Sequence, residues 1–239
     1  MTKDKFLSET VENYLKAIYH LCQEDKGAST QKIAQHLGIS SPGVTKMLHC
    51  LTKRRLIYHT RYQPVTLTPG GEKIALELIR HHRLIELYLT ESLGYGWERV
   101  HQEAEKMEHH ISEEFEDSIE RLLGFPQFDP HGDPIPTRDG KLPEPVMETL
   151  ASQPDAASVI VRRVTDENPA LLLYLKDRRL LPGTEVQIRE REPFGGSLIE
   201  AVAGEEQRIS LEAAQNVFVS PVLNLHTGTE LTGKEEAQC

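Results

Sequence analysis

The chain has 239 residues, of which 38% are hydrophobic and 27% charged, and its formal net charge is −10. This amount of apolar material is enough for packed cores and excludes a chain that is disordered throughout. No apolar run approaches the roughly 20 residues of a membrane-spanning helix, and the first ten residues lack the apolar core of a secretory signal. Three scattered cysteines exclude a disulfide framework and a four-cysteine zinc site. We therefore expect a soluble cytoplasmic protein with no membrane partner.

Charge divides the chain into a basic first part and an acidic remainder. The net charge is +5 over residues 1–70, −9 over residues 71–140 and −6 over residues 141–239. The overall balance excludes a wholly basic nucleic-acid binder, but a basic excess confined to one segment favours DNA binding by that segment. The two parts are therefore expected to have different tasks.

Three helices and a hairpin are predicted in the basic segment. Apolar positions recur at helical spacing, and the expected hairpin is rich in β-forming residues. The helices are predicted over residues 9–23, from Thr30 as an N-cap to Gly38, and from Ser41 to beyond Leu51, with the hairpin at residues 56–67. Helix, helix, glycine-containing turn, helix and wing in this order predict a winged helix-turn-helix domain.

The third helix is the candidate DNA-reading element. Ser41 is expected to be its N-cap and Pro42 its first helical residue. Small hydroxyls and backbone N–H groups at a helix N-terminus suit contacts to phosphates and base edges, and an arginine at the wing tip can reach a narrow minor groove. The candidate DNA-binding residues are Thr30, Ser40, Ser41, Pro42, Thr45, Lys46 and Arg61. The alternative is a protein-interaction winged helix in which these residues are only caps and surface.

Two long helices and an irregular segment are predicted next. Thr68-Pro69 begins a helix that runs to about Leu93, before Gly94. A second helix is predicted from Glu98 to Leu123. Residues 126–145 contain six prolines, which is typical of a linker or an ordered loop.

Histidines and carboxylates occur at helical spacing in both helices. His82 and Glu86 lie one turn apart, and the second helix carries a stripe about 100° wide. The stripe consists of His101, Glu105, Glu108 and His109. Burying four ionisable groups costs free energy unless a cation compensates them, so the stripe predicts a divalent-metal site. His110 projects away from it.

A solvated acidic face is the alternative interpretation of this helix. Charge runs are usually solvated, and the helix carries further carboxylates that can supply a wet face. These are Glu113, Glu114, Glu116 and Asp117, which we expect to face solvent. The histidines, however, gather on the stripe, which favours metal binding.

The C-terminal part is predicted to be a small β-barrel-like domain of about 65 residues. Runs rich in β-branched residues are separated by Pro-Gly and Gly-Gly turns. Strands are predicted at residues 157–164, 185–191 and 197–203, with helices at 144–152 and 168–177. Residues 224–239 are polar and are expected to fray.

Four motifs in this order carry a family resemblance. They are Ser40-Ser-Pro-Gly-Val-Thr-Lys46, His82-Arg-Leu-Ile-Glu86, the segment from Val100 to His109, and Asp129-Pro-His-Gly-Asp-Pro-Ile-Pro136. Together they resemble the diphtheria-toxin-repressor family of metal-dependent transcription regulators, on its manganese-responsive side and in its three-domain form. The resemblance covers about residues 8–220.

The resemblance implies a mainly α fold with a small β domain. Its parts are a winged helix-turn-helix domain, a helical metal-binding and dimerisation domain, a C-terminal SH3-like β-barrel and a flexible tail. The corresponding ranges are 1–73, 74–143, 144–222 and 223–239. The family further implies a homodimer formed through the helical domain, a double-stranded palindromic operator, and repression of metal-uptake genes by the metal-loaded protein.

The resemblance also implies two sets of metal ligands. The primary set corresponds to Glu105, Glu108, His109 and Asn13, with His82 added in manganese regulators. The second set corresponds to Glu86, Asp129, His131 and Asp166, or in another version to His82, Glu86 and His101 with ligands from the SH3-like domain. Asn13 is neutral where the manganese branch usually has an aspartate. Lys16 stands where two-domain manganese regulators have a ligating glutamate, so a closely spaced pair of metal ions is not expected.

The donor set predicts the metal and leaves other functions open. Oxygen and imidazole nitrogen without thiolate suit Mn(II) or Fe(II), the resemblance puts Mn(II) first, and Zn(II), Co(II), Ni(II) or Cd(II) can compete in vitro. A metalloenzyme is one alternative, although no His-Glu-x-x-His motif and no nucleophile–base pair is evident. A winged-helix regulator that responds to an organic ligand or a protein partner is the other.

Overall fold

A computed structural model of the chain describes residues 7–24, 27–60, 63–143, 146–165, 168–193 and 196–222. Arg61, Asp166 and the tail expected to fray lie outside these ranges. Among the described residues, no helix is long and apolar enough to cross a membrane.

The N-terminal part is a three-helix unit with a two-stranded wing, as the sequence predicts. Its elements are α1 (Glu9–Glu24), α2 (Thr30–His36), α3 (Ser41–Lys53), β1 (Ile57–Tyr58) and β2 (Thr66–Leu67). The two strands are antiparallel, with Ile57 opposite Leu67. Apolar side chains from α1, α2, α3 and the wing bury one another in a single core, which also takes in the first turns of the next helix.

The caps of α2 and α3 lie one residue earlier than predicted. Ser29 caps α2, and its side chain accepts a hydrogen bond from the backbone N–H of Lys32. Ser40 is the N-cap of α3, but its hydroxyl makes no capping hydrogen bond. Ser29 and Ser40 have extended backbones, whereas Thr30 and Ser41 are already helical. The predicted caps at Thr30 and Ser41 are therefore wrong by one position.

The helix α4 (Pro69–Leu93) is the central element of the molecule. The Thr68 side chain accepts a hydrogen bond from Gly71 at its start, and Gly94 ends it with a φ of +71°. Both boundaries agree with the prediction. Helix α4 packs against α1 on one side and against the following helices on the other. It therefore connects the winged helix to the helical domain.

The predicted second long helix is wrong, because it is two helices. They are α5 (Val100–Met107) and α6 (Glu113–Leu122). Ser112 interrupts the helical run, since its side chain accepts a hydrogen bond from Phe115 and caps α6. Acidic residues in the first turn of α6 further stabilise a new N-terminus there.

The C-terminal part contains one antiparallel five-stranded sheet and two helices. Its elements are β3 (Ser158–Val164), α7 (Pro169–Asp177), β4 (Glu185–Arg191), β5 (Leu198–Val202), β6 (Glu205–Ile209), α8 (Leu211–Ala214) and β7 (Val217–Pro221). The strand order is β6-β5-β4-β3-β7. Over the described residues β6 and β7 are edges, so the small β domain is confirmed but its closure into a barrel is not.

Local predictions in this part are confirmed for three strands and one helix, and they are wrong or incomplete elsewhere. The three predicted strands and the helix at 168–177 match β3, β4, β5 and α7 to within one residue at each end. The elements β6, α8 and β7 were not predicted from the sequence. In place of the predicted helix at 144–152, the described residues contain only a single 3-10 turn, Leu150–Ser152.

The C-terminal domain contacts the proline-rich segment through a backbone hydrogen bond. The backbone N–H of Val164, at the end of β3, donates to the carbonyl oxygen of His131 over 2.9 Å. Gly132 has a φ of +90°, and a Cβ added there would lie 1.9 Å from the carbonyl oxygen of Arg162. Trp97, from the α4–α5 connection, is buried in the core of the sheet domain. The loop that carries His131 therefore lies between the helices and the sheet.

Candidate metal centre

Ligand-type atoms of the helical domain form three overlapping clusters. Each residue of a cluster offers one atom, and these atoms lie within 4.8 Å of one another. The proximal cluster is His82, Glu105 and Glu108, the middle cluster is His82, Glu86 and His101, and the loop cluster is Glu86, Asp129 and His131. Since His82 belongs to the first two and Glu86 to the last two, the clusters form one continuous centre.

His82 joins the proximal and middle clusters through its two ring nitrogens. Its Nδ1 atom lies 2.5 Å from Oε2 of Glu108, and its Nε2 atom lies 3.0 Å from Oε1 of Glu86. Burial alone lowers the pKa of His82, but the Glu86 carboxylate and the hydrogen bonds to Glu86 and Glu108 outweigh it. The pKa therefore lies above its usual value. The negative charge of Glu86 and Glu108 thus outweighs burial and the Lys16 ammonium at this ring, and a metal ion bound through His82 would have to replace the ring proton.

His109 presents one ring nitrogen to a carboxylate and leaves the other available. Its Nδ1 atom lies 2.6 Å from Oε2 of Glu12, on α1. Its Nε2 atom is buried without a hydrogen-bond partner in the described structure and lies 3.6 Å from Oε1 of Glu108. A carboxylate that accepts a hydrogen bond from one imidazole nitrogen orients the other toward a metal ion. This arrangement fits His109 as a ligand through Nε2.

Two residues of α1 complete this side of the centre. The side-chain oxygen of Asn13 is buried and also has no hydrogen-bond partner among the described residues. An amide oxygen is an acceptable ligand for Mn(II) or Fe(II), so this atom fits a cation. Glu12 was not singled out from the sequence. The available signal was its position next to Asn13, on the helix expected to supply a ligand.

Lys16 places a positive charge inside the proximal cluster. Its Nζ atom lies 2.7 Å from Oε1 of Glu105, 2.8 and 3.0 Å from the two carboxylate oxygens of Glu108, and 3.3 Å from Nδ1 of His82. Burial raises the pKa of Glu105, but the Lys16 ammonium outweighs this and lowers it on balance. The family resemblance puts Lys16 at a position where some members have a ligand, but it did not predict that the ammonium would bind Glu105 and Glu108.

His131 is held with one nitrogen toward Glu86. The side chain is fully buried and stacks on Trp97, with ring centroids 5.5 Å apart. Its Nε2 atom lies 2.8 Å from the carbonyl oxygen of Trp97, which can only accept, so Nε2 carries the proton. The Nδ1 atom has no hydrogen-bond partner in the described part of the chain and lies 3.9 Å from Oε2 of Glu86. This geometry fits a metal ligand.

Asp129 shapes the loop that carries His131. Its Oδ1 atom accepts hydrogen bonds from the backbone N–H groups of His131 and Asp133, at 2.8 and 2.9 Å. Its other oxygen faces Arg83, with 3.6 Å between Oδ2 and Nε. The fourth expected residue of this set, Asp166, lies outside the described residues.

A second buried ion network, which the sequence analysis missed, supports the centre. Glu116 is 6% exposed, so its predicted place on a wet face is wrong. It binds Arg80 at 2.5 Å and His81 at 3.2 Å, and Arg80 also donates to the carbonyl oxygen of Pro136. Burial alone raises the pKa of Glu116, yet the bonds from His81 and Arg80 lower it to about 2. This network fixes α6 and the proline-rich segment to α4.

The candidate DNA-reading residues lie at one end of α3. Five of them are exposed, namely Ser40, Ser41, Pro42, Thr45 and Lys46, whereas Thr30 is half-buried at the start of α2. The Thr45 hydroxyl donates to the carbonyl oxygen of Ser41 within its own helix. Arg61 lies outside the described residues.

Family models match three segments: the iron-dependent repressor N-terminal DNA-binding domain over residues 6–65, the iron-dependent repressor metal-binding and dimerisation domain over 68–137, and the FeoA domain over 148–221. The chain is 32% identical over 230 residues to the iron-dependent repressor IdeR of Mycobacterium tuberculosis (strain ATCC 25618 / H37Rv), covering 90% of this chain and 99% of IdeR. This chain belongs to the diphtheria-toxin-repressor family.

Other members of the diphtheria-toxin-repressor family have similar structures. A manganese-dependent transcriptional repressor in complex with manganese is 34% identical, with a TM-score of 0.81, and the match covers 89% of this chain and all of that one. The structure of ScaR with bound Cd²⁺ is 33% identical, with a TM-score of 0.75, over 89% of this chain and 99% of that one. The manganese-responsive neighbours agree with the branch that the sequence resembles.

Membership of the diphtheria-toxin-repressor family decides the class of function. The chain is a metal-dependent transcriptional repressor with a DNA-binding domain and a metal-binding and dimerisation domain. Its partners are operator DNA and a second copy of itself. It is not an enzyme, so the metalloenzyme alternative is excluded.

Proposed function

We propose that the chain is a cytoplasmic repressor that responds to Mn(II), or to Fe(II) as the second choice, and controls metal-uptake genes through a palindromic operator. The chemistry of the donor atoms supports these metals. Every candidate ligand offers a carboxylate oxygen, an amide oxygen or an imidazole nitrogen, which suits Mn(II) and Fe(II). Of the two cysteines within the described ranges, Cys22 donates to the carbonyl oxygen of Val65, and neither Cys22 nor Cys50 belongs to a candidate ligand cluster.

We assign the ligands to two sites. The first comprises Asn13, His82, Glu105, Glu108 and His109. The second comprises Glu86, Asp129, His131 and Asp166, and His101 lies between the two, 3.3 Å from Oε1 of Glu86. The buried Nε2 of His109, Nδ1 of His131 and Oδ1 of Asn13 support this assignment, because each lacks a hydrogen-bond partner within the described structure and fits a cation.

The 2.6 Å contact between His109 and Glu12 carries the proposed mechanism. Glu12, Asn13 and Lys16 belong to α1 of the winged helix, whereas Glu105, Glu108 and His109 belong to the helical domain. A metal ion bound by residues of both would favour one relative position of the two domains. Metal and operator then strengthen each other's binding by the same factor, provided that this position is the DNA-competent one.

The DNA-reading role is assigned to the N-terminus of α3. Ser40, Ser41, Thr45 and Lys46 are exposed there, where backbone N–H groups already favour phosphate. We include Pro42, Thr30 and Arg61 from the sequence analysis. We also propose that residues 1–73 form the DNA-binding domain, residues 74–143 the metal-binding and dimerisation domain, and residues 144–222 the SH3-like domain.

Fluorescence anisotropy tests the proposal directly. Chelator-stripped protein is titrated against DNA from its own promoter at one ionic strength, without metal and with Mn(II), anaerobic Fe(II) or Zn(II). We expect Mn(II) to tighten binding tenfold or more, which is about 1.4 kcal/mol of coupling. His109→Ala and Glu105→Ala should abolish this tightening without unfolding the protein.

His110→Ala is the matched control, since His110 adjoins His109 but its side chain is 66% exposed. It should respond to Mn(II) like the wild type. Equal DNA binding with and without metal would contradict the proposal and favour the regulator that responds to an organic ligand or a protein partner.

A further inference from the structure

We propose that Lys16 is a tethered cation that competes with the divalent metal for the proximal cluster, so that metal enters this site only by displacing the lysine amine. This inference rests on the proposed metal site. It assigns to Lys16 the role of setting the metal concentration at which the repressor responds.

The first observation is the completeness of the lysine's coordination. An ammonium has three protons to donate. Lys16 directs them at Glu105 and at both oxygens of Glu108, with distances of 2.7 to 3.0 Å. Those are the oxygen atoms that a metal ion in the proximal cluster would need.

The second observation is burial. The Lys16 side chain is 12% exposed and that of Glu108 is 0% exposed. A carboxylate with no contact to water requires a counter-cation, because its charge is otherwise uncompensated in a medium of low dielectric constant. In the described structure Lys16 provides that cation for Glu108. A metal ion would provide the same charge compensation with a higher charge.

The third observation is that the neighbouring ligand atoms are not satisfied by Lys16. The Nε2 atom of His109 and Oδ1 of Asn13 are buried and have no hydrogen-bond partners in the described part of the chain. Nε2 lies 3.6 Å from the Glu108 carboxylate that holds Lys16. The site is therefore assembled around a cation that satisfies only part of its ligands, whereas a divalent ion could also use His109 and Asn13.

Displacement is sterically reasonable because of the length of the lysine side chain. Lys16 has four methylene groups and many rotamers, so its amine can leave the carboxylates while α1 stays in place. Neighbouring Glu105 is 41% exposed, which leaves a route to solvent on that side. The amine should then become accessible to reagents when metal is bound.

The test compares Mn(II) affinity in four forms of the full chain by competition with a fluorescent chelator. Lys16→Leu removes the charge without adding a ligand atom, and Lys16→Arg keeps the charge. We expect Lys16→Leu to bind Mn(II) at least tenfold more tightly than the wild type, and Lys16→Arg to gain nothing. The gain should vanish in Lys16→Leu combined with Glu105→Ala, which locates it at the proximal cluster. Wild-type affinity or weaker binding in Lys16→Leu would overturn the inference.

A second measurement on the wild type covers the case in which Lys16→Leu fails to fold. Lysine amines are acetylated in a short pulse, with and without saturating Mn(II), and each site is quantified by mass spectrometry. We expect Lys16 to be protected without metal and to react several-fold faster with it, while Lys106, 67% exposed, stays constant. Labelling of Lys16 that is unchanged by bound Mn(II) would overturn the inference. A wild type that binds no Mn(II) would instead overturn the proposed metal site itself.

Discussion

His109 and Glu12 join the metal centre to the DNA-binding domain through a contact of 2.6 Å between Nδ1 and Oε2. The carboxylate orients the ring so that Nε2 is available as a ligand, and such supporting carboxylates typically contribute 10–100-fold to metal affinity. We therefore expect Glu12→Ala to weaken Mn(II) binding by roughly that factor and to reduce the metal-dependent gain in operator affinity. Chelator competition and anisotropy measure the two effects.

Glu9→Ala is the control for Glu12→Ala. Glu9 lies on the same helix with its side chain 60% exposed, and it contacts only the exposed His110 among the ion pairs described. The Glu9→Ala variant should bind Mn(II) with wild-type affinity. Equal losses in the two variants would show that the effect comes from the acidic character of α1 rather than from the orientation of His109.

His131→Gln should remove one bound metal ion per chain and leave the first site intact. Its Nδ1 atom is the one buried imidazole nitrogen that the loop cluster offers, and glutamine cannot supply an equivalent donor in the same place. Mn(II) stoichiometry by isothermal titration calorimetry should fall by one equivalent. An unchanged stoichiometry would mean that Glu86 and Asp129 do not hold a metal with His131.

Gly132→Ala should separate the metal-site loop from β3. Gly132 has a φ of +90°, and a new Cβ would meet the carbonyl oxygen of Arg162 at 1.9 Å. Gly124→Ala is the matched control, because Gly124 has a φ of +73° with no atom within 4 Å of the added Cβ. The control should cost about 1–2 kcal/mol of unfolding free energy through backbone strain alone. Gly132→Ala should cost clearly more, and limited proteolysis should release the C-terminal domain faster. Equal losses of unfolding free energy and equal proteolysis rates in the two variants would show that the loop can move away from Arg162 at little cost.

Glu200→Gln should stabilise the protein at alkaline pH but not at acidic pH. Glu200 is fully buried on β5, and burial raises its pKa to about 7, although Gln207 and Arg178 oppose the shift. The folded state therefore holds a proton that the unfolded state releases near pH 4.5. This proton contributes stability below pH 4.5, and the contribution is lost as the pH rises through about 7.

The loss amounts to on the order of 3 kcal/mol at pH 8, because each pKa unit corresponds to 1.36 kcal/mol. Gln207 donates to Oε1 of Glu200 at 3.2 Å, and a glutamine at position 200 keeps that acceptor. Thermal unfolding of both proteins at pH 4.5 and pH 8 measures the difference. A variant that is equally stabilised at both pH values would contradict a buried, protonated Glu200.

Helical periodicity, together with residues that typically begin or end a helix, was enough to locate the long helix α4. Thr68, Pro69 and Gly94 are local signals whose effect depends on only a few neighbouring residues. The break between α5 and α6 was missed because the helical pattern continues through it, and the capping preference of Ser112 competes with that pattern. The strands β6 and β7 were missed because their pairing with β5 and β3 depends on long-range contacts.

The candidate ligands were also accessible to sequence reasoning, but their grouping was not. The His82–Glu86 pair and the stripe follow from helical spacing, although Glu108 and His109 lie just beyond the end of α5. The described structure brings the pair together with His101, Glu105 and Glu108 in overlapping clusters. Spacing within a helix cannot show which helices face each other. For that reason Glu116 was assigned to solvent, whereas it is buried against Arg80 and His81.

The sequence by itself determined the order of the domains and pointed to candidate metal ligands through composition, local periodicity and motifs, and those motifs carried the resemblance to the family. Only the tertiary structure decided that Glu12 orients His109, that Lys16 enters the proximal cluster, and that the loop of His131 is held between the helices and β3. These contacts join residues far apart in the chain. They depend on how the hydrophobic faces of α1, α4 and the sheet pack together, which no short segment encodes alone.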